Sequence, residues 1–66
     1  MWKNTANEKL KVGDVISIWT HDRKQRIEKI DPYDGTLSDI VFAIVETDLG
    51  TRMSLEIGGM TEVWHG

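Results

Sequence analysis

Apolar and polar residues alternate with a period of two along much of this chain, and no stretch of useful length keeps a helical period. Met53, Leu55 and Ile57 are separated by Ser54 and Glu56, the spacing of a strand with one buried face. Val15, Ile16, Ser17, Ile18 and Trp19 are rich in β-branched and aromatic side chains, as are residues 40–45, Ile-Val-Phe-Ala-Ile-Val. The second run is apolar on both faces, which suits a central strand or one whose outer face is covered. Ile27 and Ile30 mark a weaker strand within residues 25–31, and residues 61–64 predict a short closing strand. Residues 4–11 predict a single frayed turn at best.

Turn-forming residues separate these runs. Gly13-Asp14 precedes the first strand. Pro32, followed by Asp34-Gly35, ends the second, because proline has no N–H for a ladder and Asp-Gly tolerates positive φ. Asp48-Leu49-Gly50 predicts a tight hairpin with Gly50 left-handed, and Gly58-Gly59 predicts a sharp corner. Five short strands are too few for a sandwich of normal size. A flat sheet would leave an apolar face wet and two edges exposed, so a curled barrel is expected.

Leu10-Lys11-Val12-Gly13-Asp14-Val15-Ile16-Ser17-Ile18 resembles the opening of many SH3-like barrels, in which an apolar-x-Val-Gly-Asp turn enters the first strand. The later order is similar too: a long loop, a strand, a loop, a long strand, a tight hairpin, a strand, a one-turn corner at Gly58-Gly59-Met60 and a short last strand. The likeness runs over residues 10–64. It implies an all-β, five-stranded SH3-like barrel over 10–66, with a short N-terminal leader over 1–9, disordered or docked. The chain departs from signalling SH3 domains in lacking the paired tyrosines and acidic loop that grip polyproline. It also lacks the full KOW pattern of ribosomal and transcription factors.

Length and composition narrow the chemistry. A 66-residue domain buries only roughly 60% of the surface its unfolded chain exposes. There is no cysteine, so disulfides and thiolate zinc sites are excluded. His21 and His65 are the only histidines, and no serine lies in a nucleophile-elbow context, so no catalytic residue is assigned and no enzyme is expected. His21-Asp22 with Asp34 or Asp39 has no ligand spacing; loop polarity is the simpler account, and neither metal nor cofactor is expected. No apolar run could cross a membrane as a helix, and the first residues lack a signal-like apolar stretch, so a cytoplasmic location is expected.

The net charge of −3 is unevenly spread. Residues 23–29 carry Arg23, Lys24, Arg26 and Lys29 against Glu28, whereas residues 31–48 carry Asp31, Asp34, Asp39, Glu46 and Asp48 with no cation. Solvated faces are the simpler account, and a dipolar surface that steers a charged partner is the sharper one. Among five aromatics, Phe42 and Trp64 are the core candidates. Trp19 faces outward if Ile16 and Ile18 face inward, where it either anchors a partner beside Tyr33 or caps one end of the barrel. Trp2 is either loose or docked.

The expected function is a non-catalytic binding module or regulator that docks on a protein, as an adaptor or acidic inhibitor. Its partner surface is expected at Trp19, His21, Tyr33, Asp31, Asp34 and Asp39. Small inhibitors of phages and mobile elements resemble the chain in size and charge. A homodimer is compatible with the doubly apolar run. The alternative is a nucleic-acid-binding barrel using Arg23, Lys24, Arg26 and Lys29 for phosphate; against it stands the sequence pI of about 5.2.

Overall fold

A computed structural model describes residues 1–18, 20–36 and 38–66, and for residues 20–22 only the backbone. The fold is all-β, as the alternation predicts. Six antiparallel strands form one open sheet: β1 (Trp2–Ala6), β2 (Val15–Ile18), β3 (Thr20–Pro32), β4 (Val41–Thr47), β5 (Arg52–Glu56) and β6 (Met60–Trp64), in the order β1-β6-β2-β3-β4-β5. A 3-10 turn, Asn7–Lys9, follows β1.

The strand count of five is corrected to six. The added strand is β1, formed from the polar leader, which pairs with β6 from Trp2 opposite Trp64 to Ala6 opposite Met60. The Met1 and His65 backbones carry the pairing further, with His65 N–H donating to Met1 O at 2.8 Å. The leader lacks a strong strand pattern of its own, so its extended order comes from pairing with β6.

β3 is long enough to serve both halves of the sheet. Its first part pairs with β2 and its second with β4, with a register shift between Ile27 and Lys29. The core lies between the halves: Ile16, Ile18 and Val63 come from one, Ala43, Val45 and Leu55 from the other, Ile27 sits where they join on β3, and Leu10 comes from the segment after the 3-10 turn. The inward setting of Ile16 and Ile18 is the one their period requires.

The aromatic core candidates are corrected. Every fully buried large side chain among the described residues is aliphatic: Ile16, Ile27, Leu55 and Val45. Phe42 packs half-buried against this cluster. Trp64 lies on the outer face because Val63, next to it in β6, takes the inward position. Ile57 is 61% exposed, since the strand ends at Glu56 and the chain turns away at Gly58.

The turns follow the punctuation. Gly50 has φ +80, as the 48–50 hairpin requires. Asp14 closes the entry turn by accepting from Lys11 N–H at 3.1 Å, and Ile27 N–H donates to Asp14 O at 2.8 Å, fastening the turn to β3.

Candidate functional site

Asp31, Tyr33 and Asp34, expected from sequence to face a partner, stand together at the end of β3 and just beyond it. They line an open cleft of about 620 Å³ with Pro32, Ile44, Arg52, Met53 and Ser54. The register explains how it forms. Asp31 lies opposite Ile44, and Ile44 opposite Ser54, so the three make one row across the outer face of β3, β4 and β5. The next row is Lys29, Glu46 and Arg52. Ile44 alternates with buried Ala43 and Val45 and so brings an aliphatic surface to this face.

The ladder continues past Pro32. Tyr33 N–H donates to Phe42 O at 2.9 Å, which holds the tyrosine backbone beside β4. Asp34 begins a tight bend, its Oδ1 accepting from Thr36 N–H at 3.0 Å. Hydrogen bonds from Thr36, through its side chain first and then its backbone, hold the Asp34 carboxyl below the ordinary carboxylate range. Asp34 is thus a fixed, ionised, exposed carboxylate beside an aliphatic floor. Asp31 is 3.4 Å from Lys29 Nζ, so part of its charge is met within the strand.

The other expected site residues lie elsewhere. Asp39 is exposed but is not among the residues lining this cleft. Trp19 lies outside the described residues, as does the side chain of His21. Ile44, Arg52, Met53 and Ser54 were not anticipated as lining residues. Arg52 carried a signal, being the one Lys or Arg C-terminal to Lys29. Its proximity to the acidic stretch depends on the β4–β5 register.

The basic stretch proves to be interleaved with acidic residues. Arg26 Nη2 is 3.8 Å from Asp48 Oδ2, and Asp48 Oδ1 also accepts from Arg26 N–H at 3.0 Å. Lys29 faces Asp31, and Lys24 Nζ sits 3.6 Å from the ring centroid of Trp64. Trp64 in turn meets Trp2 edge-on, with centroids 5.3 Å apart. These two rings share the outer face of β1 and β6, because Trp2 and Trp64 are cross-strand partners. Arg23 is exposed. Two cations of the basic stretch, Arg26 and Lys29, are therefore met by Asp48 and Asp31 of the acidic one, and one face of Trp64 is covered by a lysine of the same chain.

A second, smaller opening of about 430 Å³ runs along β5, lined by Asn7, Met53, Ser54, Glu56 and residues 57–61. It marks the gap between the β5 edge and the start of β6. Among the described residues no cluster of three or more His, Asp or Glu is placed to hold a metal ion. Among the described residues no helix is long and apolar enough to cross a membrane. Comparison with protein-family models, with curated proteins and with solved structures found no match.

Proposed function

We propose that this protein is a non-catalytic docking module of SH3-like architecture, and that the cleft at Asp31, Tyr33 and Asp34 receives an extended, basic segment of a protein partner. The lining of this cleft carries the proposal: the carboxylates of Asp31 and Asp34 and the tyrosine Tyr33 border the aliphatic surface of Ile44 on one face of the sheet. In support of the architecture, β6, β2, β3, β4 and β5 follow one another in the sheet, with long β3 shared between its halves, while β1 is an addition at one edge. Ile44, Pro32 and the Tyr33 ring offer apolar contact, and Asp34 offers a carboxylate held in its ionised form. A segment with lysine or arginine beside an aliphatic side chain matches both.

Nucleic acid is the less supported occupant. Lys24, Arg26 and Lys29 already have neighbours within the chain, and the stacking surface of Trp64 is shared with Lys24.

The test is an amide chemical-shift titration of the intact chain. The probe is a capped, unstructured peptide of alternating lysine and leucine, with its glutamate counterpart as control. Shifts at Tyr33, Asp34, Ile44 and Ser54 with the lysine peptide alone are expected. Asp34→Asn and Tyr33→Ala should each weaken binding several-fold. No shift at these positions at millimolar peptide would refute the proposal. Salt-sensitive shifts confined to Trp2, Lys24, Arg26 and Trp64 on adding a single-stranded oligonucleotide would install the nucleic-acid reading instead.

A further inference from the structure

The outer face of β3, β4 and β5 carries two rows of cross-strand neighbours: Asp31, Ile44 and Ser54, then Lys29, Glu46 and Arg52. Opposite charges that face each other across strands are close enough to pair. Lys29 lies instead 3.4 Å from Asp31, in the neighbouring row of its own strand. Arg52 is exposed and makes no ion pair with Glu46, nor any other ion pair or side-chain hydrogen bond among the described residues. Arg52 lines the cleft, and Glu46 does not. The guanidinium thus stands at the cleft wall with its donors open to an occupant.

The charges of the cleft are therefore divided between its walls. Asp31 and Asp34 belong to the β3 side, Arg52 belongs to β5, and Ile44 lies on β4 between them. Asp31 is partly met by Lys29, whereas Asp34 is fixed by its bond from Thr36 N–H and faces no cation of the chain within ion-pair distance. β3 and β5 are two strand spacings apart, and Arg52 is one row further along, which makes a diagonal of roughly 12 Å from Asp31. In an extended segment, residues i and i+4 point the same way and are about 13 Å apart. A segment of cations and apolar residues alone suits the β3 wall but sets like charge against Arg52.

We propose that the segment received by this cleft is bipolar: a lysine or arginine at the Asp31–Asp34 wall, an aliphatic side chain on Ile44, and, four residues from the cation, an aspartate or glutamate that pairs with Arg52. This rests on the docking reading and adds the partner's charge order to it. The planar guanidinium can donate two parallel N–H bonds to a carboxylate, which fixes the position of that end of the segment as well as its charge. Arg52 is thereby a specificity residue. It favours a segment with an anion at the β5 end and repels one that is basic throughout. Because Arg52 is exposed, the preference is modest and weakens with salt.

The test is a chemical-shift titration of the intact chain with three peptides, blocked at both ends, that differ at one position. They are lysine-serine-leucine-serine-glutamate, the same with a final glutamine, and the same with a final lysine. All three are expected to move the Asp34 and Ile44 amides. The glutamate peptide should bind about three-fold more tightly than the glutamine one and about ten-fold more tightly than the lysine one. Arg52→Gln should flatten this ranking, and Arg52→Glu should reverse it. Arg52 lies opposite Glu46 in the sheet, so the fold of each variant is checked by circular dichroism. The ranking in the unaltered chain is a readout free of substitution. Equal affinity for the three peptides, or a ranking that persists in Arg52→Gln, would overturn the charge order and leave the docking proposal standing. No shift with any of the three would overturn both.

Discussion

The side-chain oxygen of Asn7 accepts a 2.6 Å hydrogen bond from the hydroxyl of Thr61, a residue 54 positions away in the chain. The same amide donates through Nδ2 to Glu56 O at 3.1 Å, and Asn7 N–H donates to Gly59 O at 3.0 Å. One buried asparagine thus ties the end of β1 to the end of β5 and the start of β6. These are the places where the open sheet curls back on itself.

Asn7→Ala removes both side-chain bonds and leaves the buried Thr61 hydroxyl without its acceptor. A loss of about 2–4 kcal/mol is expected, since an orphaned buried polar group adds its desolvation to the missing bond. Urea unfolding should show a lower midpoint at unchanged slope. A midpoint within error of the parent would mean that the curl of the sheet does not depend on this residue.

Gly59 sits against the same asparagine. A Cβ built there would lie 2.7 Å from Asn7 Nδ2 and 3.3 Å from Glu56 O. Gly59→Ala should therefore destabilise by about 1–3 kcal/mol through overpacking. In the Asn7→Ala background the nearer obstacle is gone and only Glu56 O remains close, so the same substitution should be milder, giving a coupling of about 1 kcal/mol or more in a double-mutant cycle. Additive effects would place the strain elsewhere.

Thr47 and Gln25 form a second buried polar pair. Thr47 Oγ1 donates to Gln25 Oε1 at 2.7 Å and accepts from Thr51 N–H at 3.2 Å. It therefore couples β3 to the hairpin after β4. Thr47→Val keeps the shape but strands the glutamine oxygen and the Thr51 amide, and should lower stability by about 1–3 kcal/mol. Faster amide exchange should appear at Thr51 before it appears in the β2 core.

Acid should weaken the fold through Glu8. Its Oε2 accepts from Gly58 N–H at 3.0 Å, and that bond, followed by one from its own backbone, holds its carboxyl below the ordinary glutamate value. A carboxyl lowered in the folded state contributes stability that is fully present above its unfolded value and is lost as pH falls through the folded one. Stability should thus decline as pH falls below about 4, the ordinary carboxylate range. Glu8→Gln should flatten that decline, read as the change in urea midpoint between neutral and acid pH. An unchanged slope would exclude Glu8 as a source.

Cavity formation should be most severe where the two halves of the sheet meet. Ile27 has no exposed surface and lies at the register shift of β3. Ile27→Ala should cost about 2–5 kcal/mol. Phe42→Leu, at a half-buried site beside the cluster, should cost clearly less in the same thermal or urea assay.

Local chemistry made several features legible in the sequence. The inward setting of Ile16 and Ile18, the left-handed Gly50 and the all-β class follow from a period of two and from turn residues, which act over a few positions. The end of a strand at Pro32, which sets Tyr33 and Asp34 just beyond it, follows from the same local chemistry. Other features needed the folded chain. The strand Trp2–Ala6 exists because β6 offers it an edge, and Trp64 faces outward because Val63 is the side chain that fills the interior. The cation-rich and anion-rich stretches look like separate patches along the chain, yet Arg26 meets Asp48 across the β3–β4 boundary. The cleft needs Arg52 and Ser54 from β5, and the closing contacts of Asn7 span 49 and 54 residues. Periodicity determines which face a side chain takes within its own strand. Which strands become neighbours is decided by how the whole open sheet curls around one small aliphatic core, and only that arrangement sets which charges, rings and edges meet.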